Sequence, residues 1–353
     1  MKKLRIAALT IRAVLALFAT PGFAQQYKFI PIDAPCDSCP NKIVPLTIAS
    51  GINEEGDVVG SFKDSLGGQH GFLLHHGSYT KIDVPGKFAG VAGTLPTSAN
   101  GINAEGAIVG YYVVPFIFHV SDSVPQDSPT YCPAPNAPAC TKGFLLRHGS
   151  FSTVLFQGHS GAVPQRITEE GDIYGCLHDA NFGRSMFGAV WSRRGDMSLT
   201  VNGGELSDPR DSKPLSMNNG AAHDGRTIVG LWADAAFQRH GFLVQDGVFT
   251  SYDVPGNPRL TAIWDINSRG EFVGVYVDST GVPHGFLQPP GDSAPIVLDF
   301  TLPGVNANST IALGINAEGI IVGQYFDVTN NQTRGFLAVP PRREEGEEED
   351  REQ

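Results

Sequence analysis

Hydrophobic and polar positions recur in a fixed order along most of this chain. The clearest run is Gly-Ile-Asn-Ala-Glu-Gly-Ile-Ile-Val-Gly at 314–323, and near-copies begin at Gly101 and Gly51. Weaker copies lie at 167–175, 225–230 and 266–274. The Asn-x-x-Gly step between two apolar runs is typical of a β-hairpin, because Gly can take the positive φ that a short loop requires. The pattern therefore predicts a repeat that is built from strand pairs.

A second motif predicts the third strand of each unit. It places a Gly directly before an apolar run that usually begins with Phe, and it occurs at 70–74, 142–146, 187–191, 240–244, 284–287 and 334–337. A fourth apolar run follows and ends in a Pro-Gly turn in several copies, as at 81–86 and 251–256. The six copies predict six units of four strands. A unit of this size cannot bury a core alone, so the units are expected to stack on one another.

The first strand of each unit carries small residues at every second position. Thr47, Ala49 and Gly51 set this pattern, and the copies at 97–101 and 310–314 repeat it. Small side chains suit a strand at which several sheets converge on one axis, whereas Ile52 on the other face would fill the gap to the next unit. We therefore expect a centre lined by Thr, Ala and Gly.

The two ends of the repeat region predict how the units close. The last unit stops after 335–339 without a fourth strand, while 27–35 reads as a fourth strand with no unit before it. A closed ring uses that offset, because the first strand can complete the last unit and remove a bare sheet edge. We expect a six-bladed β-propeller of four-stranded blades over residues 25–340. The alternative is a parallel β-solenoid, which would require polar capping units at both ends.

Composition supports short strands over helices. The chain has 41% hydrophobic and 17% charged residues, with 42 Gly and 25 Pro, both of which disfavour helix interiors. The formal net charge is -11, and no cluster of basic residues is present, which disfavours nucleic acid as a partner.

The termini differ from the repeat region. Residues 1–24 resemble a secretory signal peptide, with a basic start, an apolar run that contains Arg12, and a small-residue cleavage site before Gln25. An uncleaved membrane anchor is the alternative, but the apolar run is shorter than the ~20 residues that a bilayer needs. Residues 341–353 are dominated by Glu and predict a disordered acidic tail. The mature protein is therefore expected to be secreted or periplasmic.

Export makes disulfides possible. The natural pairing is local, Cys36 with Cys39 and Cys132 with Cys140, and it leaves Cys176 as a buried thiol in a strand. A redox-active Cys-x-x-Cys at 36–39 is the alternative, although no helix is predicted that would lower the thiol pKa. A zinc site would need two more ligands at suitable spacing.

These motifs together resemble a known family. His-Gly-Phe-Leu, Asp-Val-Pro-Gly and Gly-Ile-Asn-x-x-Gly-x-Ile-Val-Gly are similar to the repeats of the bacterial extracellular proteins called the HAF family. The family pattern has His-Ala-Phe where this chain has His70-Gly71-Phe72. The resemblance covers roughly residues 27 to 340 and implies no reaction, cofactor or catalytic residue.

One acidic position recurs four residues after the Val-Gly of the second strand. It is occupied in five units, by Asp64, Asp179, Asp234, Asp278 and Asp327. Unit two has Val114 there, followed by an insertion that contains Cys132 and Cys140. In a propeller these loops share one face, so we expect a loop-rich rim that binds a partner. The competing interpretation, that each Asp only caps its own turn, is favoured by the chemistry of Asx turns. Calcium is weakly supported, since one Asp per loop supplies few of the six to eight oxygens that the ion needs.

Unit three departs most from the repeat. It places His178 beside Asp179, with Arg184 nearby, and these three are candidate binding residues. The histidines that open the third strand elsewhere, at 70, 240 and 284, are replaced by Lys142 and Arg334, which favours a stacking or strand-edge role over catalysis.

We expect a monomeric binding or cell-surface module, with a protein or glycan ligand at the rim. The alternative is an exported propeller enzyme, a hydrolase or lyase acting on carbohydrate or a lactone. Such an enzyme would need unlike, unrepeated polar residues that converge at the axis.

Overall fold

The computed structural model describes residues 27–35, 44–115, 139–155, 161–178, 186–193, 197–199, 207–208, 213–214, 216–222, 225–234, 236–256, 258–291 and 293–341. Across these ranges the chain is all-β and β-propeller-like, with a short 3-10 helix at Gly86–Ala89. The signal peptide call (1–24) and nearly all of the acidic tail lie outside the described residues. Within the described ranges no helix has the length and apolar character needed to cross a membrane.

The strands form four-stranded antiparallel units in chain order. The strand that precedes the first unit is β1 (Lys28–Ile32). Unit 1 contains β2 (Leu46–Ile52), β3 (Val58–Lys63), β4 (Gln69–His75) and β5 (Ser78–Ile82). A short pair follows, β6 (Val84–Pro85) and β7 (Thr94–Leu95). Unit 2 contains β8 (Thr97–Ile102), β9 (Ile108–Pro115), β10 (Ala139–Arg147) and β11 (Ser150–Val154). Unit 3 contains β12 (Gly161–Ile167), β13 (Ile173–His178), β14 (Met186–Trp191) and β15 (Met197–Leu199).

The second half of the chain continues the pattern after a short pair, β16 (Ser207–Asp208) and β17 (Lys213–Pro214). Unit 4 contains β18 (Ser216–Ala221), β19 (Thr227–Ala233), β20 (Arg239–Gln245) and β21 (Val248–Tyr252). Unit 5 contains β22 (Leu260–Ile266), β23 (Phe272–Val277), β24 (Pro283–Gln288) and β25 (Ile296–Val297). Unit 6 contains β26 (Ala307–Ile315), β27 (Ile321–Asp327) and β28 (Gln332–Val339), and β1 is its fourth strand.

The first strands of the units lie against one another. Contacts join β2 to β8, β8 to β12, β12 to β18, β18 to β22 and β22 to β26, and β26 in turn contacts β2. At the outer side of unit 6, β1 pairs antiparallel with β28 from Lys28 opposite Val339 to Ile32 opposite Gly335. The innermost and outermost strands thus both bring the two ends of the repeat region together.

The hydrophobic core lies between the units. Phe72 and Val58 of unit 1 share a cluster with Val322 of unit 6, and Val59 shares one with Phe144 of unit 2. The Phe that follows the Gly of the third-strand motif is buried in the five units that carry it, with Phe72 at 0% exposure, and unit 3 has the buried Ala189 there. The Val-Gly glycine of the second strand makes room for it, because a Cβ on Gly60 would lie 2.7 Å from the Phe72 ring. Stacking between units therefore supplies the burial that a single sheet lacks.

A chain of asparagine amides also joins neighbouring units. The Nδ2 of Asn53 donates to Asn103 O at 3.2 Å, that of Asn103 to Thr168 O at 3.0 Å, that of Asn267 to Asn316 O at 3.0 Å, and that of Asn316 to Asn53 O at 3.3 Å. The Oδ1 of each amide accepts a backbone N–H four residues later and fixes its own hairpin turn. We call these four amides the asparagine relay, and its last bond returns from unit 6 to unit 1.

The Asn-x-x-Gly hairpins form as the sequence predicts. The turn glycine has a positive φ in every unit, at Gly56, Gly106, Gly171, Gly225, Gly270 and Gly319. The hairpin of unit 4 carries no relay asparagine. Asn219 and Asn218 of this unit bond to the neighbouring units instead. Asn219 Nδ2 donates to Ile263 O of unit 5 at 2.9 Å, and Asn218 Nδ2 donates to Ala189 O of unit 3 at 3.2 Å.

The small face of the first strand does not line the centre, so that expectation was wrong. Thr47 and Ala49 are 1% and 0% exposed, and Thr47 Oγ1 accepts the Ala34 N–H at 3.2 Å. The small residues instead fit the close packing between units, where a side chain meets the neighbouring sheet. Leu46 and Ile48, which alternate with them, line a central cavity.

The strand β1 is expected to hold unit 6 through Phe29. This side chain is 8% exposed, and its ring lies 5.2 Å from that of Phe300 and 5.4 Å from that of Phe336. Phe29→Ala should lower the free energy of unfolding by about 3–5 kcal/mol, because it leaves a cavity in this aromatic cluster. Urea denaturation measures the loss. Ile30→Ala is the matched control, since Ile30 is 40% exposed on the same strand, and equal losses for the two variants would contradict the role of β1.

Candidate ligand-binding site

A cavity of about 400 Å³ lies between the first strands of units 1, 2, 3, 5 and 6. We call it the central cavity. Its lining residues are Leu46, Ile48, Ser50, Ser61, Lys63, Gln69, Ser98, Asn100, Tyr111, Gln165, Arg166, Trp264, Ile311, Leu313 and Gln324. Lys63 and Gln69 flank the turn between the second and third strands, so the cavity reaches toward the face on which those turns lie. This volume is within the range of small-molecule sites.

A β-bulge shapes the wall of the central cavity in every unit. The register of each first strand shifts by one residue at the same place, just before the Gly-Ile-Asn position. The extra residues are Ser50, Asn100, Gln165, Asn219, Trp264 and Leu313. A bulge of this kind re-aims a side chain, and five of the six line the cavity. Five of the six units thus supply a bulge residue to the centre, and the five differ in type.

The residue after the bulge is Gly in four units. A Cβ on Gly51 would lie 2.6 Å from Asn100 O, so the close approach of neighbouring first strands requires glycine there. Units 3 and 5 depart from this rule and carry Arg166 and Asp265 instead. The two side chains form an ion pair across the centre, with Arg166 Nε 3.1 Å from Asp265 Oδ2.

Both Nη atoms of the Arg166 guanidinium donate hydrogen bonds within the protein. Nη1 donates to Asn100 O and Gln165 O, each at 2.8 Å, and Nη2 donates to Ser50 O at 3.0 Å and to Leu313 O. The remaining Nε faces Asp265. One side chain therefore ties together units 1, 2, 3, 5 and 6, and both of its Nη atoms are committed to backbone carbonyls.

The Asp265 carboxylate is equally engaged. It is 6% exposed, and Oδ2 accepts the Ile315 N–H at 3.1 Å. Burial raises the pKa of this carboxyl, while the Arg166 charge and the backbone N–H oppose that effect. A smaller cavity of about 60 Å³ lies at the hairpin side, lined by Asn53, Thr168 and Asn267 together with this pair. The pair therefore separates the central cavity from the asparagine relay.

The acidic rim residues cap their own turns. Asp64 Oδ1 accepts the N–H groups of Leu66 and Gly68 at 2.9 and 2.7 Å. The same bonds occur at Asp234, Asp278 and Asp327. The turn-capping interpretation of these four residues is therefore confirmed, and their second oxygens remain for other contacts.

Those second oxygens build an Asp-His-Asp cluster. His70 Nε2 lies 3.2 Å from Asp64 Oδ2, and its Nδ1 lies 2.7 Å from Asp83 Oδ1. Equivalent clusters form at Asp234, His240 and Asp253 and at Asp278, His284 and Asp299. In unit 6 Arg334 replaces the His and bridges Asp327 to Asp33 of the N-terminal segment.

The histidines also stack on aromatic rings of the second strand. The ring centroids of His70 and Phe62 lie 5.2 Å apart, and those of Trp232 and His240 lie 4.9 Å apart. The predicted stacking and strand-edge role is confirmed. Among the described residues, no group of three or more His, Cys, Asp or Glu is arranged to hold a metal ion.

Several predicted site residues are not described. Asp179, Arg184, Cys36, Cys39 and Cys132 lie outside the described residues. The backbone of His178 ends β13, and that of Cys140 pairs with Val114, but their side chains are outside the description as well. Cys176 is a buried thiol in β13, as predicted, and burial raises its pKa to about 12.

Unit 2 replaces the rim cluster with a buried pair of positions. Val114 and Lys142 stand where other units have Asp and His, and they are 1% and 0% exposed. Burial lowers the pKa of Lys142 to about 8. The adjoining insertion lies largely outside the described residues.

Sequence reasoning missed the bulge residues and the Arg166–Asp265 pair. The sequence carries part of the signal for the bulge residues. The residue before the Gly-Ile-Asn position is Asn in two copies and is different in each of the other four, while its neighbours repeat. The substitution of Gly by Arg166 and Asp265 is equally visible in an alignment of the six copies. Their contact is not visible there, since the two positions lie far apart along the chain.

No protein-family model matches this chain. No curated protein matches its sequence. Its fold is similar to that of a protein of unknown function from Dyadobacter fermentans, with a TM-score of 0.50 and 10% identity over 88% of this chain and 99% of that chain. Weaker likenesses include a lectin of Aleuria aurantia (TM-score 0.48, 11% identity, 86% and 98% coverage) and a gluconolactonase of Xanthomonas campestris (TM-score 0.45, 12% identity, 90% and 92% coverage). At these identities the likeness concerns the fold alone.

The ion pair between units 3 and 5 is expected to be strongly coupled. Arg166→Gly leaves Asp265 buried without its partner and should cost about 3–5 kcal/mol of stability. The double variant Arg166→Gly/Asp265→Gly restores the residue that four other units carry, so it should be more stable than Arg166→Gly. Urea denaturation of the two single variants and the double variant gives the coupling. If the losses in the free energy of unfolding of the two single variants add up to that of the double variant, Arg166 and Asp265 are not coupled.

The rim clusters are expected to weaken in acid. The His70 hydrogen bond, followed by the Gly68 N–H, lowers the pKa of Asp64 from its ordinary value of 3.8. Because the pKa is lower in the folded state, the stabilisation is complete above about pH 3.8 and is lost as the pH falls further. His70→Ala should raise the Asp64 pKa toward 3.8, which carboxyl NMR titration measures. His76→Ala at an exposed hairpin tip is the control, and an unchanged Asp64 pKa in His70→Ala would refute the assignment.

Proposed function

We propose that this chain is a closed six-bladed β-propeller of four-stranded blades that acts as an exported binding module. Its ligand would occupy the central cavity, and a protein or glycan partner would meet the rim on the same face. The observation that carries this proposal is the bulge, which brings a side chain from five of the six units to the centre, and these five side chains are of five different types.

Closure of the ring is supported by strand and side-chain contacts between the two ends of the repeat region. The strand β1 pairs with β28, the Asn316 amide donates to Asn53 O, and Arg334 bonds to Asp33. The first and last inner strands, β2 and β26, are in contact. An open solenoid would leave these end units apart, with polar caps in place of mutual contacts.

Binding is favoured over catalysis by the state of the central charges. Arg166 and Asp265 are unlike, unrepeated and central, which is the arrangement that a propeller hydrolase or lyase would need. However, backbone groups and the partner side chain already occupy their polar atoms. A general acid or base must be within reach of a substrate proton, and the Nη atoms of Arg166 and the Oδ2 of Asp265 are already engaged within the protein.

Three further proposals rest on the sequence. The chain would belong to the HAF family of extracellular repeat proteins, because the motifs match over roughly residues 27 to 340. It would be secreted or periplasmic after removal of residues 1–24. Disulfides would join Cys36 to Cys39 and Cys132 to Cys140.

A binding module should be stabilised by its ligand. We expect a screen of small molecules against residues 25–353 to yield compounds that raise the melting temperature, since a ligand at 100 times its Kd adds about 2.7 kcal/mol of stability. Ser50→Phe should abolish that shift, because the new ring fills the central cavity from the bulge position.

Leu66→Ala is the matched control, since Leu66 is 93% exposed on the turn at Asp64. It should leave the shift unchanged. A screen without a stabilising compound, or a shift that survives Ser50→Phe, would overturn the central cavity as the binding site.

A further inference from the structure

We infer that the central cavity takes an uncharged, polyhydroxylated ring compound of about the size of a monosaccharide. The inference rests on the proposed function, because it names the ligand class of the same cavity. It follows from the distribution of apolar, polar and charged groups over the wall.

The wall has two unlike sides. Units 5, 6 and 1 contribute most of the apolar surface, with Trp264, Ile311, Leu313, Leu46 and Ile48, and they also supply the polar Ser50, Ser61, Lys63, Gln69 and Gln324. Units 2 and 3 contribute a polar side, whose residues are Ser98, Asn100 and Gln165. A ring with C–H groups on one face and hydroxyl groups at its edge matches both sides at once, since aromatic and aliphatic surfaces bury the C–H face.

Polar lining residues can both donate a hydrogen bond to a ligand hydroxyl group and accept one from it. Within the described residues, the side chains of Ser50 and Gln165 make no hydrogen bond, and both are partly exposed. A serine hydroxyl and a glutamine amide each donate and accept, and so does a ligand hydroxyl. These two side chains come from the bulge, which sets them at the centre.

Two further lining side chains hold polar atoms that the described part of the chain leaves without a partner. These atoms are Trp264 Nε1, a donor, and Gln324 Oε1, an acceptor. A buried polar atom without a partner costs about 1–3 kcal/mol. Small rotations that bring them to a hydroxylated ligand would relieve that cost, so the ligand should add one acceptor and one donor.

The charges of the wall do not suit an ionic ligand. Among the described residues no carboxylate lines the central cavity, so a cation would find no counterion from this part of the chain. Both Nη atoms of Arg166 donate to backbone carbonyl oxygens, and its Nε lies 3.1 Å from Asp265 Oδ2, so an anion would have to compete with these groups. Lys63 lies at the edge beside the turn and is exposed to water, which weakens its attraction. A charged ligand would therefore lose its hydration without an adequate partner.

The test compares ligands of one shape and different charge. Isothermal titration of residues 25–353 with D-glucose, D-galactose and myo-inositol is set against D-glucuronate and D-glucosamine. We expect at least one uncharged compound to bind, with an affinity about tenfold or more above that of its charged analogue. Trp264→Leu should weaken that binding by about tenfold, because it removes the aromatic surface.

Gln165→Leu should give a similar loss, because it removes the amide but keeps the volume. The control Leu66→Ala should bind like the wild type, and circular dichroism checks that each variant folds. Tighter binding of glucuronate or glucosamine, or binding of the sugars that ignores both Trp264→Leu and Gln165→Leu, would overturn the ligand class. If the sugars fail while another small molecule binds in a manner sensitive to Ser50→Phe, the ligand class fails and the binding function stands. If neither the sugars nor another small molecule binds, the ligand class and the binding function both fail.

Discussion

The structure depends on side-chain amides that serve two units at once. Each relay asparagine accepts a backbone N–H of its own hairpin through Oδ1 and donates through Nδ2 to a carbonyl of the next unit. Asn53, Asn103 and Asn316 are 4%, 1% and 2% exposed, so neither bond can be replaced by water without opening the interface. A buried amide with both ends satisfied fixes the turn and the position of the neighbouring sheet together. The angle between units is thus set locally and repeated along the chain.

Other positions of the repeat make the contacts between units, so most bulge residues have no such structural role. Gly51, Gly101 and Gly314 bring neighbouring first strands close, Asn holds the next unit, and Phe fills the core between sheets. The bulge residue contributes to none of these tasks in most units, so its side chain is not fixed by the packing of the repeat. Arg166 and Asp265 are the exception at the glycine position, where two large side chains are accommodated because they compensate each other's charge across the centre.

Much of the fold follows from local rules that the sequence carries. The Asn-x-x-Gly hairpins, the third-strand Phe and the partner strand near Tyr27 are each set by turn chemistry or by hydrophobic pattern. The stacking of His70 and the capping by Asp64 likewise depend on neighbours within one unit.

The central cavity could not be derived in the same way. Alternation at period two assigns Thr47 and Ala49 to one face, but it cannot say which face meets the centre, and a bulge changes the phase within the strand. The contacts of Arg166 with Ser50, Leu313 and Asp265 join positions that are distant in sequence, so only the assembled sheets bring them together.

The residues that hold neighbouring units together are distinct from the residues that line the central cavity. One comparison tests that distinction most directly. Asn53 and Ser50 lie three positions apart, one in the asparagine relay and one at the bulge. Asn53→Ala leaves the Asp57 N–H and the Asn103 carbonyl without their partner, so urea unfolding should show a loss of about 2–3 kcal/mol. Ser50→Ala should change the free energy of unfolding by less than about 0.5 kcal/mol. Equal losses for the two variants, or a larger loss for Ser50→Ala, would contradict the account.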